Sequence, residues 1–152
     1  MGASQLVDVC RFSVVIMDLD IGPEEPGEAV RHTKARIKEE AEKDPDHRLA
    51  VFTKGREIEN DVDGNTFRSA VSKLLKVDVS KLSGLQLSGK QRYFDEVVDH
   101  LKLDGDAAKA AKRKLQDKVG LAELIAEAAS EDAQIPTYVD AILELIERSR
   151  LA

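Results

Sequence analysis

Residues 11–20 read RFSVVIMDLD, an apolar, β-branched run that ends in two aspartates. A continuous apolar run of this kind is typical of a strand that is buried in a parallel sheet. Residues 49–53, LAVFT, form a second such run. Between them, residues 28–43 carry apolar side chains at helical spacing among charges, after a turn-forming segment with Gly and Pro. The order strand, helix, strand predicts a βαβ unit with a right-handed crossover.

The rest of the chain is predicted to be mostly helical. Amphipathic segments are found at 66–76, 91–101, 106–115, 120–129 and 136–151. Residues 77–79 are a weak strand candidate, and residues 81–90 look like a loop. The fold class is therefore α/β, with a partial Rossmann-like parallel sheet in the first third and a helical remainder. We divide the chain into 1–64 and 65–152, although the Asp63-Gly64-Asn65 sequence at this boundary is equally typical of a simple turn.

Composition limits the classes of protein to consider. The chain has 152 residues, enough for one domain or a domain with an appendage. Hydrophobic residues make up 42% and charged residues 34%, which indicates a soluble, helix-rich protein, and an aromatic content of 4% without Trp predicts an aliphatic core. The net charge of -6 excludes a simple basic nucleic-acid binder. A phosphate-bearing partner would have to be bound by a local basic patch or through metal ions.

The expected location is the cytoplasm. Cys10 is the only cysteine, which excludes an intrachain disulfide and a cysteine-based zinc site, and we expect it to be a small buried hydrophobe. No apolar run approaches the ~20 residues of a membrane span, and the first residues lack the basic and apolar pattern of a leader. We therefore expect no contact with a membrane.

Two aspartates follow the first predicted strand directly. Asp18 and Asp20 are two residues apart, so their side chains point the same way from an extended backbone. Two converging carboxylates are typical ligands of Mg²⁺, which is also held by the phosphates of its substrate. Two solvated acids in a loop are the alternative interpretation.

A second polar block follows the second strand. Residues 53–60 read TKGREIEN and have no periodic pattern. A parallel crossover places this block at the same sheet edge as Asp18. Glu57 and Glu59, with Lys54 and Arg56, are therefore predicted to face the pair of aspartates at 18 and 20. The alternative is the start of a helix, with Thr53 as the N-cap and Glu57 in a first turn that favours acids.

A cluster of basic side chains occurs on the predicted helix before residue 118. Its members are Lys109, Lys112, Arg113 and Lys114. Such a cluster could follow the phosphates of a nucleic acid, and a solvated helix face explains it as well.

Three blocks of the chain resemble the C-terminal Toprim region of the OLD-family (overcoming lysogenization defect) ATP-dependent endonucleases, which are linked to phage defence. The blocks are residues 18–20, DLD, residues 53–60, TKGREIEN, and residues 117–127, DKVGLAELIAE. They occur in the order of the family and together span most of the chain. The block at 53–60 is the most specific of the three.

The resemblance implies a Toprim fold and metal-dependent cleavage of the DNA backbone, with Mg²⁺ or Mn²⁺ in a two-metal site. Asp18 and Asp20 would be the metal ligands. Glu57 and Glu59 would be catalytic acids of the second block, and Lys118 would be the catalytic lysine that stabilises charge on the scissile phosphate. This assignment agrees with the chemistry of metal-assisted hydrolysis, in which cations offset the charge of the transition state.

The chain departs from the family pattern in three places. The family's Toprim unit starts with a strand that ends in a glutamate, whereas Asp8 is the only acid before Asp18. Asp61 replaces the aromatic residue that usually follows Glu-Asn. The G-x-x-x-x-G-K-[ST] motif of the ATPase half does not occur in the sequence. We therefore expect this chain to correspond to the C-terminal part of such a nuclease, with DNA and an ATPase chain as partners.

Two alternatives to a nuclease remain. One is a non-catalytic α/β interaction module that docks on an ATPase partner through its C-terminal helices. The apolar stripes of 121–128 and 139–151 could form this surface, a homodimer contact or part of the core. The other is a decayed fragment whose sheet exposes an edge.

Overall fold

The computed structural model describes residues 12–19, 32–129, 136 and 138–151. Within these residues the protein is α/β and mostly helical, as the sequence predicts. Its elements are β1 (Ser13–Met17), α1 (His32–Glu42), β2 (Arg48–Phe52), α2 (Gly64–Leu75), α3 (Tyr93–His100), α4 (Gly105–Leu115), α5 (Lys118–Ala128) and α6 (Tyr138–Leu151), with 3-10 turns at Ile58–Asp61 and Val79–Leu82. The expected burial of Cys10 and the first residues of the predicted helix, 28–31, lie outside the described part.

The two predicted strands pair in parallel. Their register runs from Ser13 opposite Arg48 to Met17 opposite Phe52. Helices α1 and α6 both pack against β2. The expected burial of β1 on both faces is wrong, because Val14 and Ile16 are 37% and 41% exposed while Met17 is buried. Burial alternates along β1, which is the pattern of a strand covered on one face.

The main hydrophobic core lies in the helical part of the chain. Its buried members are Phe67, Ala70, Val71, Leu82, Leu85, Tyr93, Phe94, Val97, Leu115 and Leu121. The prediction of an aliphatic core is wrong at its centre, where Tyr93 packs edge to face against Phe67 and Phe94 at centroid distances of 6.2 and 5.4 Å. Few aromatic residues are present, and three of them are concentrated at this point.

Two aspartates fix the starts of α2 and α5. Asp63 accepts hydrogen bonds from the backbone of Asn65 and Thr66, so the predicted turn at 63–65 is the N-cap of α2. Asp117 accepts from the backbone of Gly120 at 3.2 Å. This cap sets Lys118 at the first position of α5.

Residues 77–79, the weak strand candidate, form no strand and lead into a 3-10 turn. None of the helices in the described ranges combines the length and the apolar composition needed to cross a bilayer.

Candidate functional site

The ends of the two strands are tied together by one buried threonine. Thr53 is 2% exposed, and its backbone N–H donates to the Met17 carbonyl at 3.0 Å. Its hydroxyl accepts from the Leu19 backbone at 2.9 Å and donates to the Gly55 carbonyl at 2.8 Å. These bonds hold the segment after β1 against the block after β2, so both polar blocks leave the same edge of the sheet.

Residues 53–60 form a tight loop and not the start of a helix at Thr53. The loop closes on Asn60, whose side-chain oxygen accepts from the Glu57 backbone at 2.9 Å. A Cβ atom at Gly55 would lie 2.4 Å from the Cβ of Asn60, so this contact requires glycine. The helical alternative for this block is therefore wrong, and the 3-10 turn at Ile58–Asp61 begins only after Glu57.

Asp18 reaches this loop directly. One of its carboxylate oxygens accepts the backbone N–H of Ile58 at 3.0 Å, although the two residues are 40 positions apart. The bond places the carboxylate beside the backbone that joins Glu57 to Glu59. The Asp18 backbone carbonyl also accepts a hydrogen bond from the side chain of Lys34 on α1.

Lys118 brings the third block to the same place. Its ammonium lies 3.0 and 3.2 Å from the two carboxylate oxygens of Glu59 and 4.0 Å from Glu57. Glu59 is only 4% exposed, whereas half of the Lys118 side chain is open to solvent. Glu59 thus acts as a buried anchor for an accessible ammonium group.

Tyr93 supports this pair from the core. The Lys118 ammonium lies 5.6 Å from the centre of its ring, within the range of a cation–π contact. The backbone N–H of Tyr93 donates to Glu57 at 3.3 Å, and its hydroxyl donates to the Leu115 carbonyl. The fully buried ring therefore connects the aromatic core to the site.

The charges of the site shift its titration. Burial raises the pKa of Glu57, and the nearby charge of Glu59 adds to the shift, while the Tyr93 N–H and Lys118 oppose it. Burial alone would lower the pKa of Lys118. The hydrogen bond and charge of Glu59, with the charges of Glu57 and Asp18, outweigh burial and raise that pKa. Glu57 therefore holds its proton to a higher pH than an ordinary glutamate does.

A further acid, Asp61, and a tyrosine, Tyr138, border the site. Asp61 accepts the backbone N–H of Lys54 through both carboxylate oxygens, at 2.9 and 3.2 Å. Burial raises the pKa of Tyr138 to about 12, helped by the charge of Asp61, a hydrogen bond to it and the charge of Asp18. Asp61 thus interacts with an aromatic residue from α6.

The structure therefore brings together four of the five site residues that the sequence nominated. Asp18, Glu57, Glu59 and Lys118 come from three distant segments and meet at one edge of the sheet. The fifth, Asp20, lies outside the described residues.

Sequence reasoning missed the roles of three further residues at the site. Tyr93, Tyr138 and Thr53 belong to it through contacts between segments that are far apart in the chain. Only Thr53 had a signal, since it lies in the block at 53–60.

Carboxylate oxygens suit Mg²⁺ and Mn²⁺, and those of Asp18, Glu57, Glu59 and Asp61 lie at or beside the site. Among the described residues, however, no three His, Cys, Asp or Glu side chains are grouped closely enough to hold a metal ion. Both oxygens of Glu59 face Lys118, which makes Glu59 a partner of the lysine rather than a metal ligand. The carboxylates of Asp18 and Glu57 are the described donors that fit.

The predicted basic cluster of α4 is separate from these contacts. Lys112 pairs with Asp95 at 2.5 Å, and Lys109 lies 3.8 Å from Asp106. At least half of this cluster is thus paired with acids of the chain itself.

No protein-family model matches this chain, and neither the curated proteins nor the solved structures contain a match.

Proposed function

We propose that this chain is a metal-dependent endonuclease or nickase domain of the Toprim type found in the OLD family, acting on the phosphodiester backbone of DNA. The observation that carries the proposal is the meeting of Lys118 with Glu57, Glu59 and Asp18 at one sheet edge. These residues were nominated from separate sequence blocks, with Lys118 and Glu59 lying 59 positions apart. A solvated loop acid or an isolated surface lysine would not need such a partner.

Lys118 is the group that meets the scissile phosphate. An ammonium has three N–H donors, and the two oxygens of Glu59 account for two of them. The third can point to solvent, because the side chain is 51% exposed. Lys118 thereby supplies a fixed positive charge where negative charge develops on the phosphate, and Glu59 is its positioning residue.

Glu57 is the acid–base group in this proposal. Its side chain is 13% exposed and its pKa is raised, so it exchanges its proton closer to neutral pH than an ordinary glutamate does. It can take a proton from an attacking water or return one to the leaving oxygen. The Tyr93 N–H fixes the position of the carboxylate for this transfer.

A divalent cation would be held by Asp18 with Asp20. When bound, it supplies Lewis-acid activation of water and neutralises charge on the phosphate. The chain orients Asp18 through the Ile58 N–H, which donates to one of its two carboxylate oxygens.

A plasmid nicking assay tests the proposal. Supercoiled DNA is incubated with the purified chain and Mg²⁺ or Mn²⁺, and conversion to open-circular or linear DNA is followed. We expect Asp18→Asn and Lys118→Met to lower the rate at least 100-fold, since each removes a charge that acts on the transition state. Asp106→Asn is a matched control, because this exposed acid lies on α4, away from the proposed site.

Equal residual nicking by the parent and Asp18→Asn would identify the activity as a contaminant and overturn the proposal. If the ATPase chain is required, the same comparison is made with that chain added.

A second candidate is an interaction module without catalytic activity. It is favoured by the exposed apolar residues Leu143 and Ile146 on α6, which are 55% and 39% exposed. Calorimetric titration with Mn²⁺ separates the two candidates. Absence of binding at millimolar Mn²⁺ favours the module, whereas binding that Asp18→Asn abolishes favours the nuclease.

A further inference from the structure

A groove of about 390 Å³ lies next to the site and is lined by cations from two loops. Arg56, Lys90 and Arg92 line it together with Gln91, Asp95 and Asp99. Its acids come from α3, one and two turns beyond Arg92. Three cations and two carboxylates thus line the groove, and one of these carboxylates, Asp95, is paired with Lys112 at 2.5 Å. This local excess of positive charge occurs in a chain whose net charge is -6.

Two of the cations of the groove have defined contacts, Arg56 with backbone carbonyls and Arg92 with an aromatic ring. The Arg56 N–H donates to the Gly89 carbonyl at 3.0 Å, and its guanidinium donates to the Lys90 carbonyl at 3.2 Å. Gly89 has a φ of 75°, which allows the sharp turn that brings these two loops together. The guanidinium of Arg92 lies 5.7 Å from the centre of the Phe94 ring. Two arginines are thus presented in defined positions, which lowers the entropy lost when they bind a ligand.

The groove adjoins the candidate site. Arg56 precedes Glu57 in the chain, and Arg92 precedes Tyr93, whose backbone donates to Glu57. The positive charge of Arg92 also lowers the pKa of Glu57 in part, which indicates that the two are close. A polyanion in the groove would therefore lie close to Glu57, whose carboxylate is 4.0 Å from the Lys118 ammonium.

We propose that this groove binds the phosphodiester backbone of a DNA strand and guides it to Lys118 through Arg56 and Arg92. The inference rests on the proposed function for the identity of the polymer. It adds a binding surface that is separate from the basic cluster predicted on α4. Arginine suits this role because its planar guanidinium can bind a phosphate through two parallel hydrogen bonds.

The test is fluorescence anisotropy with a 20-nucleotide labelled single strand in EDTA, at several salt concentrations. We expect the double variant Arg56→Gln, Arg92→Gln to bind more weakly, on the order of tenfold at 0.1 M salt, and its salt slope to fall by about 1.4, since each phosphate contact on a single strand contributes roughly 0.7. Arg56→Lys, Arg92→Lys should keep most of the slope. The control Lys73→Gln, Lys76→Gln removes the same charge from exposed positions near the C-terminal end of α2.

Asp99 offers a test in the opposite direction. This exposed acid lines the groove, so Asp99→Asn should strengthen binding by removing repulsion of the phosphates. An equal loss of DNA affinity in the glutamine and control variants would overturn the proposed binding surface. Absence of salt-dependent DNA binding by the parent would overturn it as well. Binding through the groove without any cleavage would refute only the proposed nuclease, and nicking with unchanged binding in the double glutamine variant would refute only the groove.

Discussion

The pair of Lys118 and Glu59 should be the strongest energetic coupling in the site. Replacing Lys118 by Met removes the cation that faces both oxygens of a carboxylate only 4% exposed. Breaking a fully buried ion pair costs roughly 3–5 kcal/mol. Half of the Lys118 side chain is exposed, so water replaces part of the lost interaction, and about 2 kcal/mol is expected. For a chain of this size this lowers Tm by roughly 4–8 °C.

A double-mutant cycle isolates the interaction. Urea unfolding at pH 7, followed by circular dichroism, is measured for the parent, Lys118→Met, Glu59→Gln and the double variant. We expect a coupling free energy of about 1–2 kcal/mol, because the double variant leaves neither charge without a partner. Its destabilisation should then be clearly smaller than the sum of the two single changes.

Glu57 provides the matched control for this cycle. It lies 4.0 Å from the same ammonium, beyond hydrogen-bond distance, and burial raises its pKa. A raised pKa means that the folded state favours protonated Glu57 over ionised Glu57. The contribution of protonated Glu57 to folding stability is therefore lost as the pH rises through the pKa that Glu57 has in the folded protein. Glu57→Gln should therefore cost little at pH 7 and couple to Lys118→Met by less than about 0.5 kcal/mol. Additive effects in the Glu59 cycle, or a larger coupling for Glu57 than for Glu59, would refute the reasoning.

Three further outcomes are expected. Gly55→Ala should destabilise the protein by about 1–3 kcal/mol in urea melts and impair nicking, because its Cβ would lie 2.4 Å from the Cβ of Asn60 and displace the loop; unchanged stability would contradict the tight loop. Tyr93→Phe should cost about 1–2 kcal/mol by leaving the Leu115 carbonyl without its donor, as measured by the same melts. In that variant Tyr138 is the one remaining tyrosine, so absorbance at 295 nm should give its pKa as about 12, and Asp61→Asn should move this pKa towards 10. The contribution of Tyr138 to folding stability is full below pH 10 and is lost as the pH rises through 12.

Much of the secondary structure could be predicted because it follows from the local spacing of apolar residues. The apolar runs within 11–20 and 49–53 predicted both strands, which the structure has at 13–17 and 48–52, and their parallel pairing. Helical spacing predicted the helices of the second part to within a few residues. The burial of β1 could not be read in this way, because it depends on how many elements cover a sheet. A continuous apolar run does not specify that number.

The site was predictable only in part. Residue types and the resemblance nominated Asp18, Glu57, Glu59 and Lys118, but no periodicity relates α5 to a loop 59 positions earlier. The role of Tyr93 was invisible for the same reason, since its ring contacts Lys118 only after the aromatic core has formed. The groove arises from two loops joined through Gly89, and a loop contact of this kind leaves no pattern in either segment.

The most direct test of the central claim is paramagnetic broadening of backbone amide signals by substoichiometric Mn²⁺. The account predicts that the amides of Asp18, residues 57–59 and Lys118 broaden together, that Mg²⁺ reverses the effect, and that the amides of α4 at 105–115 stay sharp. Broadening scattered over exposed acids, or broadening at Asp18 without residues 57–59 and Lys118, would contradict a single metal-dependent site at this sheet edge.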